Sequence, residues 1–141
     1  MKDTLTPGLT HTLHYTVPEH RTVPHLLPES SDFATMPPVL ATGYMVGIIE
    51  WACMEALHGH LDDGEITLGI HVDLSHVAPT VVGSTVTVDV TLTAVEGRSL
   101  TFDVEARDEH AVISTGTHGR GVVDRRRFEA RIDARLEGGR P

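Results

Sequence analysis

The sequence predicts an α+β fold in which one long central helix is wrapped by a curved antiparallel sheet. Two patterns indicate this fold. Residues 43–60 contain no proline and are apolar on nearly every face, which is typical of a buried helix. The segments around this helix alternate apolar and polar residues with the period of a half-buried strand. A curved sheet around one helix is the arrangement that buries such a helix with few elements.

The chain is short enough to form a single domain. It has 141 residues, of which 40% are hydrophobic and 22% charged, and this apolar fraction suffices for one core. We expect one domain over residues 1–141, with a lid-like loop at 18–41 and a tail at 129–141.

The first strand is predicted over residues 10–17, and Pro18 ends it. Five prolines between residues 18 and 41 exclude regular elements there, apart from a turn of helix near 31–35. A loop of this length in a small domain is usually functional or disordered. Because this loop also contains large apolar side chains, we expect it to pack onto the core as a cover.

The long helix is predicted to end at residues 61–64 and to be followed by four strands in a meander. In residues 66–76 the even-numbered side chains up to position 74 are apolar, so we expect them to face the core. Residues 85–106 form a predicted hairpin that turns at 96–98, and the last strand covers 112–123. The tail adds a short helix before it frays. These elements give a hot-dog architecture, and we expect a homodimer whose pairing extends the sheet and seals the site.

The charge balance argues against polyanionic partners. The net charge is -9, from 20 acidic and 11 basic residues, which disfavours nonspecific binding to nucleic acid and to anionic membranes. The arginines at 125–127 are read as a solvated strand end, although they leave a local anion site open. No segment is apolar for long enough to span a bilayer, and residues 1–10 lack the apolar region of a secretory signal. With its single cysteine, Cys53, the chain fits a reducing compartment, and we expect a cytoplasmic protein.

Two polar residues interrupt the apolar patterns. Glu50 lies within the buried helix, where a carboxylate is costly unless it is hydrogen-bonded. His76 continues the apolar stripe of its strand and is therefore expected to face inward. Because both side chains point into the same layer, they are candidates for nucleophilic or acid-base chemistry. A solvated helix seam for Glu50 and a structural role for His76 are the alternatives.

Other polar residues allow weaker assignments. Thr42 precedes the helix, so its default role is an N-cap, although a helix start also stabilises a developing oxyanion. Cys53 has no feature of an activated thiol and is expected in the core. The ten histidines lack metal-ligand spacing, so we expect no metal site. Arg120 lies in the last strand, from where it reaches the site or a subunit boundary.

Four segments of the sequence are specific in combination: ATGYMVGIIEWAC, SHVAPT, VEGRSL and GTHGRGVV. With them the chain resembles the fluoroacetyl-CoA thioesterase family, a branch of the hot-dog thioesterases, over nearly its whole length. The fold alone is not specific, because it also supports dehydratases and binding proteins. The resemblance implies an acyl-CoA thioesterase that needs no cofactor, since coenzyme A is part of the substrate.

The resemblance also implies roles for individual residues. It assigns the family's catalytic threonine, glutamate and histidine to Thr42, Glu50 and His76. It assigns a glycine that lies against the thioester to Gly69, and a substrate-contacting arginine to Arg120.

The lid-like loop is expected to contribute Phe33 and Met36 to the acyl site. Met36 aligns with the position at which the name-giving member of the family has a bulky aromatic gate. Methionine is flexible and fills irregular gaps, so this departure suits a different or larger acyl group.

We therefore expect hydrolysis of a short-chain acyl-CoA, with fluoroacetyl-type esters among the candidates. Glu50 acts as nucleophile or general base, His76 relays protons, and Thr42 either orients Glu50 or serves as a hydroxyl nucleophile. The alternatives are a non-hydrolytic acyl-CoA binding module, a hydratase or dehydratase in which His76 acts on a carbon acid, and a purely structural dimer.

Overall fold

The computed structural model describes residues 1–138, which form one five-stranded antiparallel sheet around a central helix. The spatial order of the strands is β1-β3-β4-β5-β2, and each neighbouring pair is antiparallel. The strands are β1 (Thr10–Thr16), β2 (Glu65–Leu74), β3 (Thr85–Glu96), β4 (Ser99–Arg107) and β5 (Val112–Asp124).

Four helices accompany the sheet, together with a 3-10 turn at Glu19–Arg21. They are α1 (Val23–Leu26), α2 (Ser31–Ala34), α3 (Thr42–Ala56) and α4 (Arg125–Leu136). The α3 helix packs against β1, β2, β3 and β4, so the sheet wraps it as the sequence predicts. None of the helices within residues 1–138 is long and apolar enough to cross a membrane.

The core lies between α3 and the concave face of the sheet. The β3–β4 hairpin turns at Gly97, whose positive φ of 62° suits a tight turn, and its alternation is confirmed. The inward side chains of both strands are 0–5% exposed, and on α3 the buried side includes Ile49, Ala52 and Cys53 at 0%. The predicted core location of Cys53 is therefore confirmed.

The prediction of a four-stranded meander is wrong. Only β3, β4 and β5 follow one another as neighbours, whereas β2 pairs with β5 at the far edge of the sheet. Residues 75–84 carry the chain from that edge back to β3, which lies next to β1. Local alternation predicts strands but not the order in which they pair, and here the crossing loop decides the topology.

The predicted orientation of β2 is wrong for its first part, up to the register shift, whereas Val72 and Leu74 after the shift lie on the same face as the buried His118. Thr67 is buried at 8%, whereas Ile70 and Val72 are 57% and 52% exposed. The physical reason is twofold: β2 is an edge strand, and its register with β5 shifts between Gly69 and His71. A bulge of this kind changes which side chains face the core.

Three further predictions from the sequence need correction. The α3 helix ends at Ala56 rather than near residue 60, and its N-cap is Ala41, so Thr42 is its first residue and not its cap. Short helices occur in the 18–41 loop despite its prolines, because Pro24 occupies the first turn of α1, where a missing N–H costs nothing. The predicted turn of helix near 31–35 is present as α2.

The 18–41 loop is tied down at its ends and exposed at its tip. Bridges between Thr22 and Leu40 and between Val39 and Val81 hold its ends. At the tip, Leu27 and Met36 are 45% and 49% exposed, so the expected close cover is not formed there.

The tail helix α4 starts earlier than the sequence suggests. Asp124 caps it by accepting a hydrogen bond from Arg127 N at 3.0 Å, so the three arginines at 125–127 begin a helix rather than end a strand. All three side chains are exposed. Residues 139–141 of the predicted tail lie outside the described residues.

Candidate active site

The first residue of α3 contacts the segment that follows β2. Thr42 Oγ1 lies 2.8 Å from His76 Nδ1, which is hydrogen-bonding distance. Thr42 is free for this contact because Ala41, and not Thr42, occupies the cap position. A cavity of about 300 Å³ lies beside the pair and is walled by apolar residues of the 18–41 loop and of residues 77–79.

Burial lowers the pKa of His76 below its ordinary value of 6.5. The imidazole is therefore neutral at pH 7 and has one nitrogen free to accept a proton. With Nδ1 directed at the Thr42 hydroxyl, the pair can work as a hydroxyl and its general base.

Glu50 lies two turns further along α3 and pairs with β5. Its Oε2 accepts a hydrogen bond from Arg120 Nη1 at 2.9 Å. The Glu50 side chain is 37% exposed, so it is less buried than the sequence predicts, whereas the Arg120 side chain is 3% exposed. One carboxylate oxygen is therefore fixed by a buried cation while the group remains accessible from outside the core.

Arg120 is held rigidly by three further hydrogen bonds. Its Nε donates to Thr67 Oγ1 at 2.8 Å and its Nη2 to the Thr67 carbonyl at 2.9 Å. Its Nη1 also lies 3.2 Å from His118 Nε2. Four of the five N–H donors of the guanidinium are thus occupied, which leaves little freedom for it to leave Glu50.

His118 is fully buried and acts as a neutral acceptor for Arg120. Its Nδ1 donates to the His71 carbonyl at 2.8 Å, which leaves Nε2 without a proton and able to accept from Arg120. Burial is the main cause that lowers the pKa of His118 below 6.5, and the neighbouring Arg120 charge acts in the same direction. Both effects keep this acceptor neutral.

Gly69 brings β2 close to the Glu50 carboxylate. A Cβ at position 69 would lie 2.6 Å from Glu50 Oε2 and 3.4 Å from His118 Cε1. Since real Cβ atoms do not approach an oxygen so closely, only glycine leaves Glu50 in this position. The backbone of Gly69 therefore forms the wall against which the carboxylate rests.

The structure divides the predicted residues into two groups. Thr42 is joined to His76, and Glu50 is joined to Arg120 beside Gly69. Among residues 1–138 no hydrogen bond links the two groups, although both start from one face of α3. Phe33 lies half-buried in α2 and Met36 lies at the exposed loop tip, so neither is part of these hydrogen-bonded groups.

Sequence reasoning missed Thr67 and His118. Both are buried, and both bond the guanidinium that holds Glu50. The signal for His118 was present, because residues two apart on a strand share a face and His118 precedes Arg120 by two. Thr67 was assigned to the solvent side because the apolar stripe of β2 was expected to face inward.

Two other kinds of chemistry are not indicated by this geometry. Burial raises the pKa of the Cys53 thiol to about 12, so it is not an activated nucleophile. Within residues 1–138, no three His, Cys, Asp or Glu side chains lie close enough to hold a metal ion.

The comparisons with known proteins point to one family. Residues 19–126 match the family described as FlK, fluoroacetyl-CoA-specific thioesterase. The chain belongs to the fluoroacetyl-CoA-specific thioesterase family. It is 44% identical to the fluoroacetyl-CoA thioesterase of Streptantibioticus cattleyicolor over 139 residues, which cover 99% of this chain and 100% of that protein.

Solved structures agree with this family and with the predicted fold. A variant of the fluoroacetyl-CoA-specific thioesterase FlK in complex with fluoroacetate and CoA superimposes with a TM-score of 0.86 and 45% identity. The match covers 88% of this chain and 99% of that one. A hot-dog-like protein from Thermanaerovibrio acidaminovorans superimposes with a TM-score of 0.79 and 27% identity, covering 95% and 94% of the two chains. The predicted hot-dog fold and the predicted family are therefore confirmed.

Proposed function

We propose that this protein hydrolyses a short-chain acyl-CoA thioester to the free acid and CoA. One observation supports this function most directly: a carboxylate, Glu50, is fixed by the buried Arg120 against the backbone of Gly69, in a chain of a thioesterase family. Fluoroacetyl-CoA is the substrate named for the relative from Streptantibioticus cattleyicolor, and it heads the esters to be tested here.

Thioester hydrolysis needs a nucleophile or an activated water, charge stabilisation on the carbonyl oxygen, and a proton for the departing thiolate. In our proposal Glu50 supplies the nucleophilic or basic oxygen. Arg120 holds the carboxylate in place through the hydrogen bond from its Nη1 to Glu50 Oε2. No cofactor is required for these steps.

The Thr42–His76 pair serves the proton transfers. The neutral His76 accepts a proton at Nδ1 and returns it to the leaving thiolate, while Thr42 orients the reacting groups or attacks as a hydroxyl. Thr42, at the start of α3, and His76, in the segment after β2, line the same cavity. In our proposal the thioester lies between this pair and Glu50.

The acyl site is expected to accept groups different from or larger than fluoroacetyl. Met36 is 49% exposed at the loop tip and is unbranched, so it adapts to groups of several sizes. Half-buried Phe33 adds a rigid apolar wall to the same loop. We infer that propionyl and butyryl esters are hydrolysed alongside the smaller ones.

We also infer that two copies pair through β2. This ten-residue strand is a sheet edge, and Ile70 and Val72 expose large apolar side chains along it. A long apolar edge is unfavourable in a monomer, because its unpaired N–H and C=O groups invite another strand. Pairing would extend the sheet and cover the approach to Glu50, and analytical ultracentrifugation would show the dimer.

The second candidate function is an acyl-CoA binding module. The ion pair of Glu50 with Arg120 favours it, because a carboxylate bound so well can be a structural partner rather than a reagent. Glu50→Gln separates the two functions. If the protein is a binding module, the wild type shows no turnover and the variant keeps its affinity for CoA esters. If the protein is a thioesterase, turnover falls in the variant.

The test of the proposed function is release of free thiol from acetyl-, fluoroacetyl-, propionyl-, butyryl- and phenylacetyl-CoA. We expect turnover of the short esters by the wild-type protein and its collapse in Glu50→Gln. Mass spectrometry of the products separates hydrolysis, which yields CoA and acid, from addition or loss of water. A folded protein that releases no thiol from any of these esters would overturn the proposal.

A further inference from the structure

Two buried polar atoms, His76 Nε2 and Ser114 Oγ, have no hydrogen-bond partner among residues 1–138. Leaving such an atom unpaired costs about 1–3 kcal/mol, so each of the two calls for a partner. Ser114 is 0% exposed, and its hydroxyl has no role in the mechanism described above.

The sheet register places these two residues opposite one another. Val72 pairs with His118 and Leu74 with Gly116, and the pairing continues beyond β2. Ser75 N donates to the Thr115 carbonyl at 2.9 Å and Val77 N to the Ile113 carbonyl at 2.8 Å. The residues between these two bonds, His76 and Ser114, therefore face each other directly.

Both side chains point to the inner face of the sheet. His76 reaches Thr42 on α3, and Ser114 is paired with the fully buried Ala106 of β4. Directly opposed residues on one face have Cβ atoms roughly 4.5–5.5 Å apart, which a serine hydroxyl and an imidazole can bridge by rotation or through one water. Each of the two unpaired atoms therefore has a possible hydrogen-bond partner in the residue directly opposite it.

We propose that Ser114 is a positioning residue for His76, whose Nε2–H donates to Ser114 Oγ. This inference rests on the proposed function, since it assigns Ser114 a part in the chemistry of His76. The hydrogen bond fixes the tautomer in which Nε2 carries the proton and Nδ1 accepts from Thr42 Oγ1. In the other tautomer Nδ1 carries the proton and cannot act as a base toward Thr42.

The proton transfers balance within this arrangement. The O–H bond of Thr42, or of a water at the same place, breaks as an N–H bond forms at His76 Nδ1, and the electron pair stays on oxygen. His76 is then a cation, and its Nε2–H still donates to Ser114 Oγ, which stabilises the added charge. The proton at Nδ1 passes to the thiolate sulfur as CoA leaves, and neutral His76 is restored.

Replacement of Ser114 tests this role with little risk to folding. Ser114→Ala removes only the hydroxyl, Ser114→Thr restores one, and Ser84→Ala is the matched control, since Ser84 is another buried serine outside the site. We expect Ser114→Ala to lower kcat about tenfold with KM unchanged, Ser114→Thr to recover most of kcat, and Ser84→Ala to behave as wild type.

The second readout is the ¹⁵N NMR spectrum of the histidine rings, which needs no turnover. We expect His76 Nε2 to carry the proton in the wild type and the two tautomers to mix in Ser114→Ala. Unchanged His76 nitrogen shifts in Ser114→Ala, or an unchanged kcat, would overturn the inference. A wild-type protein that hydrolyses no ester would instead overturn the proposed function.

Discussion

Glu50 is positioned by contacts that lie on two strands, β5 and β2. Arg120 of β5 donates to it, Thr67 and Gly69 of β2 hold and shape its surroundings, and His118 restrains the arginine. The carboxylate therefore owes its geometry to the buried Arg120 and, through it, to the buried Thr67 and His118. This is a common way for an enzyme to fix a reactive side chain.

The close approach of Gly69 makes a direct prediction. In Gly69→Ala the new Cβ would lie 2.6 Å from Glu50 Oε2, so the carboxylate must shift from the position in which it accepts the hydrogen bond from Arg120. We expect kcat to fall roughly 10–100-fold while the protein stays folded, as a 1 Å displacement of a reacting group does elsewhere. Thiol-release kinetics and circular dichroism measure the two effects. A Gly69→Ala protein with wild-type kcat would contradict the assigned place of Glu50.

The buried acceptor on Arg120 makes a second prediction. His118→Leu removes the bond to Arg120 Nη1, and we expect a clear fall in kcat and faster solvent exchange of the Arg120 Nη1 protons by NMR. His118→Gln keeps an acceptor and should recover part of both. Phe102→Leu is the matched control, because Phe102 is the buried partner of His118 in the register but has no polar group. Equal losses in His118→Leu and Phe102→Leu would show a merely structural role.

His118 also predicts how stability depends on pH. The pKa of His118 in the folded protein lies below 6.5, its ordinary value, which applies in the unfolded chain. At a pH between these two values, the unfolded chain therefore binds more protons than the folded protein. Stability therefore falls as pH decreases below about 6.5 and stops falling below the folded pKa. Urea unfolding at pH 7.5 and pH 5 should show this loss, and the loss should be smaller in His118→Gln. An equal pH dependence in the two proteins would contradict burial of a neutral His118.

At the scale of elements, the β2–β5 pairing supports both groups of site residues. Gly116 has a φ of +145°, and a Cβ there would lie 2.0 Å from the Asp73 carbonyl oxygen. No side chain can be accommodated without separating the strands, and the segment after β2 carries His76.

We therefore expect Gly116→Ala to lower the free energy of unfolding by more than the roughly 1 kcal/mol typical of a point mutation. We also expect kcat to fall, because separation of the strands would displace His76. Thr117→Ala, at the next position of β5, is the control and should change either quantity little. Thermal unfolding and thiol release measure both. Retention of wild-type stability by Gly116→Ala would mean that β2 and β5 are not as close as described.

The elements differ in how well the sequence predicts them. Alternation in β3 and β4 was informative because both strands lie in the middle of the sheet and have one buried face. In β2 the apolar stripe misled, since an edge strand with a bulge exposes Ile70 and Val72. In our proposal a second copy of the chain covers this exposed apolar edge.

The site was predictable to a similar extent. Packing arguments isolate Glu50 and His76, because each is polar within an apolar pattern. Thr42, Gly69 and Arg120 came from the family resemblance, since a threonine, glycine or arginine in such places has ordinary structural uses. The partners of Arg120 depend on the pairing of β2 with β5, and strand order is not encoded in local alternation.

At the scale of the whole molecule, the proposed dimer predicts a coupling between assembly and activity. Val72→Lys places a charge on the exposed apolar edge, where like charges would repel across a β2–β2 contact. We expect this variant to sediment as a monomer and to lose most of its activity while its sheet stays folded. A dimer that survives Val72→Lys with full activity would contradict pairing through this edge.

The net charge of the protein affects how a CoA ester binds to it. With a net charge of -9, the protein repels the phosphates of CoA at long range, so affinity must come from the apolar cleft and from local contacts. Added salt would screen this repulsion rather than weaken binding.

In our proposal, Glu50 performs the hydrolysis of a CoA thioester. The most direct measurement is kcat/KM for thiol release from the best short ester, for wild type, Glu50→Ala and Glu55→Ala. Glu55 is the matched control, since it lies on the same helix and is bonded to His11. We predict a loss of at least about 1,000-fold in Glu50→Ala and little change in Glu55→Ala. Wild-type turnover in Glu50→Ala would contradict the account.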